Sequence, residues 1–369
     1  MAKNKKKNMG RVKHYRHSFY SGPQRVRRAV ILVLVVALLF AVGWFIGPHV
    51  IDFGTRTWYS IKRGGAADSV SSSAAQSQPE SQSQPGSIPE PQPEPAAPQV
   101  EQGSWAFVSL SSIDTAQKAQ DTAQKMAQQG VHYAVIPLKD EQGYIYYPST
   151  LPTAAPSVAA TTIDAAAAAQ AFRQAGLEPV AQLCAFRDPK SPYTDRTMGI
   201  HYQDSEYFWL DAAQDAGGKA WMDPYSPSAQ NFIQDLMNEV RGLGFEQILL
   251  SGMQFPPTTN ENAGYQSADR RPGINRLAEL IALWQQQARE AGTMLWLEYP
   301  LAQAADAQPA ALAGGAFREL GAANLMLRLP QTEDVQARQA QLEAALASAR
   351  EGGAEYLVLR EGSTAQFVK

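Results

Sequence analysis

The sequence is poor in the residues that form covalent and metal cross-links. It has one cysteine, Cys184, and five histidines in 369 residues. A single cysteine cannot form an intramolecular disulfide, and it excludes a cysteine-based metal site. Because Cys184 lies in the apolar stretch "PVAQLCAF", we expect it to be a buried core residue.

Two common ligand-binding motifs are also missing. No glycine-rich phosphate loop follows any of the predicted strands, which counts against a nucleotide-binding sheet. No Asp-rich calcium loop is present either. We therefore predict neither a cofactor nor a metal site.

Charge is unevenly distributed along the chain. Residues 1–63 contain thirteen Lys and Arg against one acid, Asp52, whereas the remainder contains nineteen basic and thirty-four acidic residues. A basic block can bind nucleic acid by releasing counterions. This block precedes an apolar segment, so membrane topology and contact with anionic lipid explain it better, and we predict no nucleic-acid partner.

The apolar segment at residues 29–47 reads "AVILVLVVALLFAVGWFIG" and contains no charged residue. Its length is close to what a helix needs to cross a bilayer. A cleaved signal peptide would have a shorter apolar core followed by a small-residue cleavage site, whereas Pro48, His49 and Val50 follow here. We predict a single transmembrane helix at 29–47, with the basic tail 1–28 in the cytoplasm and the rest outside the cell membrane.

A spacer separates the predicted membrane helix from the folded part of the chain. After a juxtamembrane segment at 48–63, residues 64–103 consist mainly of Ser, Gln, Pro, Glu and Ala. Such a composition cannot bury enough apolar surface to fold. We predict a disordered linker that holds residues 104–369 away from the membrane.

From Trp105 onward, short apolar segments alternate with longer amphipathic ones. We predict strands at 105–110, 132–138, 178–186, 246–251, 293–299, 323–329 and 354–360. Helices are predicted at 114–129, 162–175, 228–242, 273–291, 308–320 and 333–351. Several helices end in glycine just before the next strand, and glycine readily adopts the left-handed conformation that closes a helix.

Repeated β-then-α units predict a parallel sheet covered by helices. An open doubly wound sheet and a closed (β/α)8 barrel both fit this alternation. The size of the domain, roughly 265 residues for 104–369, favours a TIM-barrel-like α/β fold. Seven strands are placed, so either an eighth is irregular or the barrel is incomplete.

In such a barrel the functional residues stand at the carboxyl ends of the strands and on the loops that follow. These positions give the candidates Lys139, Asp140, Glu141, Arg187, Asp188, Ser251, Gln254, Glu298, Tyr299 and Arg328. The long insert 187–227 adds Trp209, Asp211, Trp221, Asp223 and Tyr225.

An insert rich in Trp, Tyr and Asp suits sugar recognition. Flat aromatic faces stack on pyranose rings, and carboxylates accept hydrogen bonds from hydroxyl groups. The alternative is that Trp209 and Trp221 bury the loop. Ser226 followed by Pro227 also fits a helix N-cap with proline at the first helical position.

These residues resemble a known family. The segments "YAVIPLKDEQGYIYYPS", "PVAQLCAFRDP", "AWMDPYSPSAQNFIQDLMNEVRGLGFEQILL" and "MQFP" are similar to a glycoside-hydrolase-like domain of unknown function found in bacterial envelope proteins. The resemblance covers about residues 105–330. It implies a TIM barrel related in outline to the α-amylase-like glycosidases, acting on a cell-envelope or environmental glycan.

The sequence departs from the family pattern at the expected catalytic site. An Asp usually ends the fourth strand and is the natural candidate nucleophile, but Ser251 stands there. Pro137 occupies the place of a second Asp, whereas Glu298 supplies a carboxylate at the end of the fifth strand.

These departures leave two hypotheses open. Most glycosidases need two carboxyl groups, and serine cannot replace the nucleophile without a general base. An inverting enzyme would use Glu298 as acid and Asp188 or Asp223 as base, and it predicts that Glu298 shares one cavity with Asp140, Asp188 or Asp223. A degenerate barrel would bind a glycan or protein without hydrolysing it.

Overall fold

A computed structural model describes residues 100–257, 262–331 and 334–368. The predicted basic tail, membrane helix and juxtamembrane segment, and almost all of the predicted linker, lie outside these residues. Within the part that is described, none of the helices combines the length and apolar character that a membrane crossing requires.

Eight strands close into a barrel. They are β1 (Ser104–Phe107), β2 (Val131–Pro137), β3 (Glu178–Cys184), β4 (Gln247–Ser251), β5 (Met294–Pro300), β6 (Asn324–Arg328), β7 (Tyr356–Glu361) and β8 (Thr364–Phe367). Their order around the barrel is β1-β8-β7-β6-β5-β4-β3-β2. The predicted barrel is therefore confirmed as an eight-stranded α/β barrel.

The eighth strand differs from the other seven in direction. Strands β1 to β7 are parallel, whereas β8 runs antiparallel to both β7 and β1. A two-residue turn, Gly362-Ser363, joins β7 to β8, and Gly362 has φ +59°, a conformation that glycine adopts without strain. The barrel thus closes through a hairpin, with no helix before its last strand.

Among the described residues, five long helices cover the barrel. They are α1 (Ala116–Gln128), α2 (Ala165–Gln174), α3 (Pro227–Gly242), α4 (Ile274–Glu290) and α5 (Val335–Glu351). Short helical segments occur at Leu110–Ser112, Ala155–Ser157, Ser191–Thr194, Arg196–Met198, Gln214–Ala216, Leu301–Ala304, Pro309–Leu312 and Phe317–Leu320. The short strands His201–Tyr202 and Ala263–Gly264 form a separate antiparallel ribbon.

The predicted helix boundaries are confirmed at most positions. Each glycine predicted to end a helix has a positive φ: Gly130, Gly176, Gly244, Gly292 and Gly353. Ser226 caps α3, since its Oγ accepts a hydrogen bond from the amide of Ala229 at 3.2 Å and Pro227 is the first helical residue.

The predicted helix at 308–320 is wrong. Two 3-10 turns, Pro309–Leu312 and Phe317–Leu320, stand there instead. Ala313 and Gly314 between them have φ +54° and +79°, which breaks a right-handed helix. Gly315 packs so closely on Ile274 that a Cβ atom would lie 2.5 Å from that side chain.

The barrel interior is filled in layers. Trp105, Tyr133 and Trp296 form an aromatic layer at one end, with Trp105 stacked on Tyr133 at 4.3 Å between ring centroids. An aliphatic layer follows: Val135, Val180, Leu249, Met326 and Val358. Because alternate residues of a strand face the same side, the next inward residues stand at the carboxyl ends of the strands, where they form a polar layer.

Closure depends on a small residue in β8. Ala365 is buried in the barrel interior and pairs with Trp105 of β1, whereas its neighbour Gln366 faces outward and is exposed. We predict that Ala365→Glu lowers the free energy of unfolding by about 3 kcal/mol or more, because it places a charge in a packed interior. Urea denaturation of the full chain, followed by tryptophan fluorescence, measures this.

The matched control is Gln366→Glu, which adds the same group one residue away on the outer face. It should change the free energy of unfolding by less than about 0.5 kcal/mol. Equal effects of the two substitutions would show that β8 does not close the barrel.

Candidate functional site

A cavity of about 400 Å³ opens at the carboxyl ends of the parallel strands. Its floor is the polar layer of the barrel: Gln182, Ser251, Glu298, Arg328 and Arg360. The wall consists of Pro137, Lys139, Asp140, Glu141, Cys184, Arg187, Asp211, Trp221, Gly252, Gln254, Pro257, Pro300, Gln303 and Gln308. The cavity is thus lined by both the strand ends and the insert that follows β3.

Glu298 is a buried carboxylate in the floor of the cavity. Its Oε1 accepts a hydrogen bond from Nη1 of Arg360 at 2.7 Å, and its Oε2 accepts one from Nε2 of Gln182 at 3.0 Å. Nε of Arg328 lies 3.9 Å from Oε1. Both carboxylate oxygens of Glu298, on β5, therefore accept hydrogen bonds from side chains of β7 and β3.

Ser251 stands beside Glu298 in the barrel. The two residues are register partners on β4 and β5. Gly252, which follows, has φ +70°, and a Cβ atom there would lie 2.7 Å from Sγ of Cys184. The buried Cys184 therefore supports the turn after β4, and burial raises the pKa of its thiol to about 11. The expectation of a buried cysteine is confirmed.

Three more carboxylates line the opposite wall, and each is bonded within the protein. Asp140 accepts hydrogen bonds from the amides of Gln142 and Tyr144 and from the hydroxyl of Tyr146. Glu141 pairs with Arg187 at 2.6 Å. Asp211 accepts hydrogen bonds from the Lys219 amide and from Nε1 of Trp221, at 2.7 and 2.9 Å.

Asp188, a predicted catalytic base, lies outside the cavity lining. It is fully buried and pairs with Nζ of Lys139 at 2.8 Å. It also accepts hydrogen bonds from Ser191 Oγ and from the amides of Lys190 and Ser191. Burial opposes its ionisation, but Lys139 and Ser191 outweigh burial and lower its pKa. Asp188 holds the start of the insert.

Asp223, the other predicted base, is also fully buried outside the lining. Its two oxygens accept hydrogen bonds from the amides of Tyr225 and Gln266, at 2.9 and 2.8 Å. Burial raises its pKa to about 6, partly offset by these two amides and by Arg276. Asp223 joins the end of the insert to the segment that follows β4.

Three of the four predicted aromatic residues are buried. Trp221 belongs to the hydrophobic core and also lines the cavity, and the guanidinium of Arg187 lies 5.9 Å from the centre of its ring. Trp209 and Tyr299 are buried in the hydrophobic core, and the Tyr299 hydroxyl donates to the carbonyl of Met253. Tyr225 is half-buried against Phe255 and Tyr265.

The sequence-based search missed two residues of the floor, Gln182 and Arg360, and two of the wall, Gln303 and Gln308. The floor residues carried a signal: each lies two positions after a buried valine, Val180 or Val358, and so faces the same side of its strand. Gln303 and Gln308 follow β5, and Gln308 is the first residue of the helix predicted at 308–320.

The described residues contain no cluster of side chains with the geometry of a metal site. No group of three or more His, Cys, Asp or Glu side chains in the described ranges is placed to hold a metal ion. The polar groups that line the cavity are amides, guanidiniums, bonded carboxylates, the Ser251 hydroxyl, the Lys139 ammonium and the Cys184 thiol. Such groups recognise a polar organic ligand.

The sequence of the barrel matches a family model. Residues 106–296 match the family described as "Putative glycosyl hydrolase domain", which is more than half of the chain. The chain belongs to this family. The resemblance inferred from the sequence is thereby confirmed, and the glycosyl hydrolase domain occupies most of the barrel. No curated protein matches the sequence.

Solved structures with a similar fold have low sequence identity. The glycosyl hydrolase domain resembles a hypothetical protein from Ruminiclostridium thermocellum ATCC 27405 (17% identity, TM-score 0.44, 52% of this chain and 96% of that one). It also resembles the PgaB (BpsB) glycoside hydrolase domain from Bordetella bronchiseptica (12%, 0.49, 69% and 82%). A third is a Paenibacillus sp. cycloisomaltooligosaccharide glucanotransferase (12%, 0.49, 69% and 37%). These likenesses are too distant to transfer a function.

The buried pair between Lys139 and Asp188 generates a stability prediction. Lys139→Met should lower the free energy of unfolding of the glycosyl hydrolase domain by about 3 to 5 kcal/mol, because it leaves a buried carboxylate without its partner. Adding Asp188→Asn should recover part of the loss, since the uncompensated charge is then gone. Urea denaturation of the full chain measures both.

Arg187→Met is the matched control, since Arg187 and Glu141 form an exposed ion pair between the same two loops, those that follow β3 and β2. Exposed pairs contribute at most about 1 kcal/mol, so this variant should unfold close to the unmodified chain. A similar loss in both variants would refute a special role for the buried pair.

Proposed function

We propose that the barrel recognises a cell-envelope or environmental glycan in its mouth and does not hydrolyse it. The observation that carries this proposal is the pairing of Ser251 with Glu298 on neighbouring strands. A hydroxyl stands where the family resemblance implies a catalytic Asp, and the adjacent carboxylate is already bonded by Arg360 and Gln182.

The polar lining of the cavity supports a sugar ligand. Amide, guanidinium and carboxylate groups donate and accept hydrogen bonds with hydroxyls, and Trp221 provides an aromatic side chain at the wall. Gln303 donates to Oε1 of Gln254 at 2.7 Å, while its own Oε1 has no partner within the described residues.

The hydrogen bonds to Glu298 argue against a role for this residue as a general acid. A general acid must approach the leaving-group oxygen of the substrate and transfer a proton to it. Arg360 and Gln182 direct their donors at the two oxygens of Glu298, so the substrate would first have to displace one of them. The carboxylate instead keeps Arg360 in place at the floor of the cavity.

Hydrolysis is the second candidate, and one observation favours it. Glu298 lines the same cavity as Asp140, Glu141 and Asp211. An inverting mechanism requires an acid and a base that are far enough apart to hold a water molecule between them. In this candidate, Glu298 is the acid and one of the three wall carboxylates activates the water.

Glu298→Gln distinguishes the two candidates. With the full chain in detergent, we expect glycan-array binding by the unmodified protein, no release of reducing sugar from the bound glycans, and no loss of binding in Glu298→Gln. The amide keeps the shape of the side chain while removing its charge. Glu343→Gln, an exposed substitution on α5, controls for nonspecific charge effects.

A hydrolase would give the opposite result. The unmodified protein would release reducing sugar, and Glu298→Gln would lower that rate by about 100-fold or more, as removal of a general acid does. Glu343→Gln would leave the rate unchanged. That outcome would overturn the binding proposal.

We also propose that residues 29–47 anchor the chain in the cell membrane, with residues 1–28 in the cytoplasm and the barrel outside. The uncharged apolar run and the basic residues before it support this orientation. The predicted linker 64–103 would then carry the barrel away from the membrane surface and towards its glycan.

Cell fractionation and protease treatment test the anchor. The full chain should remain in carbonate-washed membranes, and protease added outside intact spheroplasts should cut the linker and release the barrel. A variant lacking residues 29–47 should leave the membrane fraction. A barrel that resists protease until the cells are lysed would refute the orientation, and release of the chain without protease would refute the anchor.

A further inference from the structure

The charged residues of the cavity are arranged on two opposite sides. Strands β2 and β6 lie four positions apart in the closed order of eight and so face each other across the mouth. The side after β2 and β3 carries Asp140 and Glu141, and its cations are paired: Arg187 with Glu141, and Lys139 with the buried Asp188. Strands β6 and β7 carry Arg328 and Arg360. The first side therefore has an excess of one negative charge, from Asp140, and the second side is basic.

On the basic side, two guanidinium groups share one carboxylate. Arg328 and Arg360 are register partners on β6 and β7, and both approach Oε1 of Glu298, at 3.9 and 2.7 Å. The glutamines that follow β5 on this side are neutral. This part of the lining thus has an excess of one positive charge, although residues 64–369 as a whole are acidic.

The two arginines are not equally engaged. Arg360 is bonded to Glu298 and to the carbonyl of Gly362, and its guanidinium lies 3.5 Å from the centre of the Phe107 ring. Among the contacts of the described residues, the Arg328 side chain makes no hydrogen bond, and its one ion-pair contact is the 3.9 Å approach to Glu298. Its side chain is 48% exposed.

We propose that Arg328 binds the carboxylate of an acidic sugar, so that the ligand of this cavity is a uronic-acid-containing glycan. This inference rests on the proposed glycan-binding function and specifies its substrate class. A guanidinium presents a planar pair of N–H donors that matches the two oxygens of a carboxylate. Arg328 has these donors available at the mouth, whereas Arg360 is bonded to Glu298 and Gly362, and Arg187 is paired with Glu141.

The opposite wall suits the remainder of such a sugar. Asp140 can accept hydrogen bonds from hydroxyl groups but would repel a carboxylate, and the charge of Glu141 is balanced by Arg187. A uronic acid therefore has one favourable orientation, with its carboxylate at Arg328 and its hydroxyls towards the loop after β2. A neutral sugar lacks the group that distinguishes the two sides.

A panel of matched acidic and neutral oligosaccharides tests the inference. The panel contains oligogalacturonates and oligoglucuronates, their methyl esters, which keep the backbone and mask the charge, and unrelated neutral oligosaccharides. The full chain in detergent should bind acidic members at least about tenfold more tightly than their esters. This preference should shrink as salt is raised, because screening weakens contacts between partly exposed charges.

Arg328→Gln should lower affinity for the acidic members by about tenfold or more and leave binding of the esters nearly unchanged. The matched control is Arg318→Gln, because Arg318 makes a contact of the same length, 3.9 Å, with Glu351 and is 53% exposed but lies outside the cavity lining. Circular dichroism and the thermal midpoint check that both variants fold.

Each other outcome decides against the inference. Equal binding of acids and esters, or binding of neutral glycans alone, overturns it and leaves the proposed glycan-binding function intact. If acetate or inorganic phosphate binds as tightly as the acidic oligosaccharides at matched ionic strength, Arg328 binds anions in general and the inference of a specific sugar ligand is wrong. Failure to bind any oligosaccharide overturns the glycan-binding function and this inference together.

Discussion

A barrel exists only if its first and last strands meet, and here they meet through the pair Trp105 and Ala365. The large indole of β1 fills one end of the interior, and the small methyl group of β8 leaves room for it. Because a hairpin supplies β8, the seven other strands remain parallel. Their carboxyl ends therefore point to one mouth, and every feature of the cavity depends on that convergence.

The polar layer at the mouth follows from the same geometry. Every second residue of a strand points into the barrel. The inward residue that follows the aliphatic layer is therefore the one at the carboxyl end of each strand. Burying Glu298 there would be costly without a partner. Arg360 and Gln182 supply that partner from β7 and β3. Ser251 beside Glu298 also avoids a second carboxylate, whose charge would repel the first.

Two acids that resemble catalytic groups in the sequence serve instead to hold the insert. Asp188 forms an ion pair with Lys139 and accepts a hydrogen bond from the Ser191 hydroxyl. Asp223 accepts hydrogen bonds from backbone amides at the end of the insert and in the segment after β4. The neighbouring Gly143, with φ +79°, allows close approach, since a Cβ atom there would lie 2.3 Å from Oδ1 of Asp188. These contacts position Trp221 and Asp211 at the wall of the cavity.

The sequence by itself determined the seven parallel strands, the glycines that end the helices, and the strand ends as the place of the cavity. These are local properties, since hydrophobic periodicity and backbone preference act over a few residues. It also identified Glu298, Arg328 and Trp221, which do line the cavity. Only the tertiary structure decided that β8 closes the barrel, because its four residues have too short a pattern and depend on Trp105. Only the tertiary structure separated Asp188 and Asp223 from the cavity and joined Arg360 to Glu298, because burial and pairing depend on residues distant in the chain.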